Sequence, residues 1–334
     1  MRISRRSFLL AGLALTAFRQ KRPQVMTING LIDASAMGKT LIHEHFLVDF
    51  IGADKTSKAR WDKEKVIAKV LPYLNEVKAN GIKTIFDCTP IFLGRDVELL
   101  QLLSAKTGLQ ILTNTGYYGA VGNKYLPQWA FTETAQQLAD RWIKEFNEGI
   151  DGTSVKPGFI KISVDGGKNL SELHLKLVKA AGLTHLATGL TICSHTGPWH
   201  IASEEIEILK SVGVSPSAFV WVHAQGENNK AGHTIAARMG TWVSLDGIGW
   251  GDFKTYADSI DLMKSNGVLN RLLISHDAGW YKPDEPNGGE FKGFTNIFKE
   301  LFPLLKQKGF TDKDFAQMLV KNPAEAFALS VRKA

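Results

Sequence analysis

Eight short apolar runs rich in β-branched residues, each followed by a turn or polar cluster, constrain this chain more than any other feature. They occupy residues 39–43, 83–88, 109–114, 158–162, 190–195, 218–223, 241–246 and 271–277. Between them lie stretches of helical length, among them 62–80, 132–148, 170–187 and 290–308. In the first of these, Val66, Val70, Leu74 and Val77 recur at three- or four-residue spacing, which marks one face of a helix. Strands that alternate with helices pair in parallel, and near-continuous apolar strands are buried on both faces. Eight such units in roughly 290 residues predict an α/β fold, a single (β/α)8 TIM barrel. A doubly wound open sheet is the structural rival. A C-terminal additional helix over 312–329 is expected to pack on the outside.

The formal net charge of +7 does not belong to this barrel. Arg2, Arg5, Arg6, Arg19, Lys21 and Arg22 precede the first acidic residue, Asp33, and removing those six leaves +1 for the remainder. A folded surface so close to neutral gives no footprint for nucleic acid or a membrane surface. The basic start instead reads as an address. Arg5-Arg6 precede Phe8-Leu9 and an apolar run to Phe18, too short for a membrane span, which takes about 20 residues. Residues 1–22 are read as a twin-arginine-type signal segment that sends the protein to the periplasm, and 23–334 as one domain. Ala14-Leu15-Thr16 only approximates a cleavage site. With Cys88 and Cys193 alone, both inside apolar runs, a disulfide scaffold and a cysteine zinc cluster are excluded.

A barrel of this kind presents its chemistry at the C-terminal ends of its strands. There the sequence places His43-Glu44-His45 at the first, Lys161 within the fourth, His195 at the fifth, His223 at the sixth and Asp277 at the eighth. Residues i and i+2 of a strand share a face, so His43 and His45 both reach the mouth. Singly, each has a plain explanation: a bonded core histidine, a capping aspartate, a lysine stem lying on apolar surface. Together the six form a divalent-metal site, and Zn²⁺, Mn²⁺, Fe²⁺ or Co²⁺ would suit such donors. Lys161 fits through charge balance. An ammonium beside cations is repelled, and burial favours the neutral amine. Carboxylation by CO₂ to N6-carboxylysine would give an anion with two oxygens that can bridge two metals. The rival is a lysine paired with Asp165 at the rim.

The ordered set His43, His45, Lys161, His195, His223, Asp277 resembles the phosphotriesterase family of the amidohydrolase superfamily, including its lactonases. Thr115-Gly116-Tyr117-Tyr118, Gly94-Arg95-Asp96 and Asn322-Pro323-Ala324-Glu325-Ala326-Phe327 support the resemblance, which runs from about residue 38 to 330. It implies a binuclear centre. His43, His45 and Asp277 would hold the more buried metal, His195 and His223 the more exposed one, and carboxylated Lys161 would bridge. It further implies that a metal-bridging hydroxide attacks a carbonyl or phosphoryl centre while Asp277 accepts its proton. Tyr118 stands where lactone-hydrolysing relatives carry a tyrosine, which favours a lactone or other carboxylic ester over a triester. Its plain alternative is an aromatic packed under a loop.

Two departures from the family qualify this reading. Gly247 follows Asp246 where relatives often carry His or Arg, so a substrate contact is assigned to Trp250 instead. Ala224-Gln225-Gly226 follow His223 where phosphotriesterases have acidic residues. Residues 279–289 should overhang the mouth and bring Trp280 and Lys282 to the substrate. The other histidines are read as structural: His174, His185 and His233 are expected at the surface, His200 follows Trp199 in a loop from which it could line the pocket, and His276 points away from the mouth.

The competing functions are phosphotriester or phosphodiester hydrolysis at the same site, a mononuclear deaminase, and a non-catalytic binding protein. Deaminases place a glutamate three residues after a metal-pocket histidine, but positions 198 and 226 are Pro and Gly. A binding protein would be expected to have lost a ligand, and none is lost. The expected partner is a small ester or lactone, and a homodimer is compatible with the sequence.

Overall fold

The computed structural model describes residues 22–334, so the expected leader, Arg22 excepted, lies outside the described residues. The strands are β1 (Gln24–Thr27), β2 (Gly30–Asp33), β3 (Lys39–Leu47), β4 (Ile82–Asp87), β5 (Gln110–Leu112), β6 (Asn114–Thr115), β7 (Phe159–Ser163), β8 (Ile192–His195), β9 (Phe219–Val222), β10 (Trp242–Leu245), β11 (Leu272–Ile274) and β12 (Gly279–Tyr281). Each of the eight apolar runs carries one, the third being split into β5 and β6. Two sheets result, ordered β12-β3-β4-β5 and β6-β7-β8-β9-β10-β11, with every pairing parallel. Only Thr113 separates the sheets on one side, and its carbonyl accepts from Gly158 N at 2.8 Å. On the other side Asp277 N donates to the His43 carbonyl at 3.0 Å.

The helices that alternate with these strands are α1 (Lys63–Ala79), α2 (Val97–Thr107), α3 (Trp129–Thr132), α4 (Ala135–Glu148), α5 (Glu172–Thr188), α6 (Trp199–Ser211), α7 (Ala231–Arg238), α8 (Phe253–Ser265), α9 (Phe302–Gln307), α10 (Asp312–Ala316) and α11 (Asn322–Ala326). Their starts follow local chemistry. Asp62, Asp96, Ser171 and Asp252 accept from backbone N–H groups of the first turn, and Thr134 with Gln137 forms a reciprocal capping pair. Among the described residues, no helix is long and apolar enough to cross a membrane.

Three expectations change. The helix expected over 290–308 begins only at Ile297, because Lys292 N bonds to the Gly279 carbonyl (3.0 Å) and draws 290–295 across the strand ends. The helix expected over 312–329 runs from Asp312 to Ala326 with a π-helical stretch, Gln317–Lys321, in its middle, and it is not wholly external. Ala326 and Phe327 are buried with Phe86, Leu112, Phe159 and Leu273, residues that the strands turn away from the helices. The β1–β2 hairpin, unforeseen in the sequence, adds Val25 to that inner cluster. Leu329 N donates to the Gln24 carbonyl at 2.8 Å, so the two ends of the described chain meet beneath the strands. The polar groups sit on top of this packed floor.

Candidate metal centre

Two backbone devices deliver the polar side chains. The first is alternation. Phe159 and Lys161 face inward on β7, and Cys193 and His195 do so on β8, each pair stacking an apolar residue below a polar one. The second is irregularity. The β3–β4 register shifts between Leu41 and Glu44, which lets Ile42 join the inner cluster while His43 and His45 line the cavity above it. His223 and Asp277 sit in left-handed backbone conformations, with φ of 61° and 51°. Val222 already faces inward, and the turn at His223 swings the imidazole to the same side. Such backbone in non-glycine residues costs about 1–3 kcal/mol and persists where the surroundings enforce it.

The result is a cavity of about 90 Å³ lined by His43, His45, Lys161, His195, His223, Asp277 and Tyr118, with Val48, Phe50, Leu93 and Trp280 as its apolar wall. Ligating atoms of His43, His223 and Asp277 lie within 4.8 Å of one another, close enough to hold a metal ion. Nε2 of His45, His43 and His223 lies 3.1, 3.7 and 4.0 Å from the Asp277 carboxylate. The opposite nitrogens of His223 and His45 are hydrogen-bonded elsewhere, whereas that of His43 has Asp246 nearby without a hydrogen bond. His223 Nδ1 donates to Asp246 Oδ1 at 2.7 Å, and His43 Nδ1 lies 3.2 Å from Asp246 Oδ2. His45 Nδ1 donates at 2.8 Å to Thr89, whose hydroxyl donates onward to the Leu47 carbonyl or to Asp87. Anchoring Nδ1–H leaves Nε2 as a lone-pair donor, the tautomer a metal ligand needs.

The electrostatics favour the neutral imidazole at His43 and His195 but not at His223. Burial, with Lys161 nearby, lowers the His43 pKa to about 4, and burial beside His223 pushes His195 well below the ordinary value. Burial opposes protonation of His223 as well, but the Asp246 carboxylate outweighs it and raises the value. Both Asp246 and Asp277 are held far below the usual carboxylate range despite burial, chiefly by His223 and His43. Burial keeps the Tyr118 hydroxyl protonated, and it lies 3.1 Å from His195 Nδ1. Lys161 is 1% exposed, and its Nζ has no hydrogen-bond partner. Asp165 is not that partner, since it accepts from the backbone N–H groups of Val121 and Gly122.

Other sequence expectations fall outside the cavity. Trp250 stands 47% exposed at the rim and donates from Nε1 to the Asp277 carbonyl at 2.9 Å. Lys282 does not line the cavity and pairs with Glu285 at 2.7 Å. His200 is exposed and bonded to the Gly167 carbonyl, away from the cavity. His174, His185 and His233 are buried rather than superficial, because each satisfies a backbone carbonyl. His174 holds Gly119, next to Tyr118, and His233 holds Ala224, next to His223. Gly247 has a steric cause: a Cβ there would stand 2.6 Å from Gln225 Nε2 and 2.7 Å from the Tyr256 hydroxyl. Sequence reasoning passed over three residues that orient the site: Asp246, Thr89 and the Glu44 of His-Glu-His.

A family model described as the phosphotriesterase family matches residues 23–327. The chain is 29% identical over 296 residues to "Phosphotriesterase homology protein" of Escherichia coli (strain K12), covering 87% of this chain and 98% of that protein. It is 27% identical over 309 residues to "Aryldialkylphosphatase" of Saccharolobus solfataricus, covering 89% and 97%. It is 24% identical over 345 residues to "N-acetyltaurine hydrolase" of Danio rerio, covering 90% and 97%. With a matching family model over nearly its whole length and a candidate metal site among its histidines and Asp277, the chain belongs to the phosphotriesterase family.

Proposed function

We propose that the chain is a metal-dependent hydrolase. Its two divalent cations, Zn²⁺ or alternatively Mn²⁺, Fe²⁺ or Co²⁺, would be held by His43, His45, Lys161, His195, His223 and Asp277, and its substrate is a lactone or other carboxylic ester. The observation that carries this reading is Lys161, buried and unpartnered among four histidines and a carboxylate. An unpaired ammonium there is costly. The neutral amine adding CO₂ and losing a proton becomes a carbamate, whose negative charge and two oxygens complete a donor set for cations. When bound, the cations supply a water of lowered pKa and polarise the oxygen under attack. Asp277, kept unprotonated, accepts the proton of the attacking water. Tyr118 keeps its own proton and can donate a hydrogen bond to an ester oxygen. Apart from the proposed ligands, the cavity lining is Val48, Phe50, Leu93, Tyr118 and Trp280, all apolar or aromatic, so the wall that a substrate meets favours an uncharged one. An uncharged phosphotriester is the second reading, favoured by the same wall.

The scaffold of this reading is a closed (β/α)8 barrel, supported by the backbone bonds at both junctions of the two sheets. The export reading is proposed with it: residues 1–22 as a twin-arginine signal to the periplasm, on the Arg5-Arg6 pair ahead of the apolar run to Phe18. The experiment is hydrolysis of a lactone panel, an aryl phosphotriester and a phosphodiester by protein purified with Zn²⁺ and bicarbonate. Chelator-sensitive lactone opening by protein with two metals per chain is expected. Undiminished activity in metal-free protein would overturn the reading.

A further inference from the structure

The seam between β3 and the end of β11 is bridged by one side chain. Glu44 projects from between His43 and His45, is fully buried, and receives only donors. Oε1 accepts from Ser275 Oγ (2.9 Å), His276 N (3.2 Å) and His276 Nδ1 (2.8 Å), while Oε2 accepts from Ala278 N (3.0 Å). His276 must carry its proton on Nδ1, because its Nε2 accepts from Ile297 N at 3.2 Å. Ser275 Oγ in turn accepts from His43 N at 3.0 Å. Glu44 thus grips the residues immediately before and after Asp277, and Asp277 N completes the grip on the His43 carbonyl at 3.0 Å.

We infer that Glu44 is a positioning residue. It holds Asp277 in its left-handed conformation and so aims the carboxylate at the histidines, an inference that rests on the metallohydrolase reading. A backbone at φ 51° needs an outside restraint. Trp250 supplies a weaker one from the exposed side, through its bond to the Asp277 carbonyl. The geometry gives the acid in His-Glu-His its reason. A strand that sends residues 43 and 45 to the cavity sends residue 44 toward the neighbouring segment, where a carboxylate satisfies donors on both flanks of Asp277. Glutamine cannot replace it, because its amide would set donor against donor at one flank.

The test is Glu44→Gln, with Arg332→Ala as a destabilised control. The Arg332 guanidinium bonds Thr191 and the carbonyls of Ala326 and Ala328, away from the cavity lining. In metal-free protein, Glu44→Gln should speed hydrogen exchange at the Asp277 and Ala278 amides about tenfold or more. It should also weaken Zn²⁺ binding about 10- to 100-fold, measured against a chromophoric chelator well below both melting temperatures. Arg332→Ala should lower Tm yet leave Zn²⁺ affinity unchanged. Unchanged exchange at these two amides, or Zn²⁺ affinity within about twofold of wild type, overturns the positioning role. If the wild-type chain takes up none of Zn²⁺, Mn²⁺, Fe²⁺ or Co²⁺, the metallohydrolase reading fails, and the exchange measurement decides Glu44 alone. Should Glu44→Gln not fold, Glu44→Asp keeps the charge but is too short to reach both flanks, and the same two amides report the outcome.

Discussion

Asp246→Asn isolates the orientation of the histidines from their identity. Asp246 is fully buried and accepts from His223 Nδ1 (2.7 Å), Ser244 Oγ (2.6 Å) and His223 N (3.2 Å), and His43 Nδ1 lies 3.2 Å from its other oxygen. Asparagine is nearly isosteric but has one acceptor oxygen and one amide nitrogen. The nitrogen must face one of the two imidazoles, and that ring then shifts its proton to Nε2. One of three nitrogens that converge on Asp277 changes from lone-pair donor to proton donor. Loss of such a partner weakens metal binding about 10- to 100-fold, equal to about 1.4 to 2.8 kcal/mol. The assay is competition for Zn²⁺ between the apo-protein and a chromophoric chelator at fixed pH, with a melting curve confirming the folded state. A folded Asp246→Asn that binds Zn²⁺ within about twofold of wild type would refute the argument, since tautomer control could then not be what Asp246 supplies.

Lys161→Ala should lose bound metal and activity together, the latter about 100-fold or more, and a short carboxylic acid in excess should restore part of both. Full activity in that variant would remove Lys161 from the centre. Tyr118→Phe should slow lactone opening more than triester hydrolysis; equal effects would mean the ring only packs. Glu205, buried behind β8 and accepting from Ser194 and Thr196, has its pKa raised by burial from the ordinary 4.5 to about 8. Below about pH 4.5 both folded and unfolded states hold that proton. As pH rises toward 8 the unfolded state releases it first, so stability falls, by roughly 5 kcal/mol at most. Urea unfolding of metal-free protein between pH 5.5 and 8 should show this slope, and Glu205→Gln should flatten it; parallel slopes would contradict the assignment.

What could be read in the sequence is what regular geometry delivers. Apolar runs of strand length located the strands, and alternation brought His43 and His45 to the same mouth. The irregular deliveries were legible only as residue types. Nothing in Trp221-Val222-His223 announces a left-handed turn, because the restraint lies in Asp246, more than twenty residues away. The helical histidines were misplaced for a different reason. His174, Leu177, Ala181 and His185 recur at three- and four-residue spacing and are all buried. Counting histidine as polar hid a helix face that its spacing would have revealed. The C-terminal segment was misplaced because helical periodicity says which face is buried but not against what.

The inner floor has a consequence for the order in which the molecule can be made. Val25 and Phe327 share one cluster, and Leu329 is bonded to Gln24. Contacts of such separation are closed late, after the loop entropy of almost the whole chain has been spent. A nascent chain therefore assembles strands and helices in sequence but leaves their underside open until residues 326–329 emerge. Until that moment Phe86, Phe159 and the other floor residues remain a hydrophobic surface that a chaperone must shield. Closure of the floor waits on the segment that carries Phe327 and Leu329.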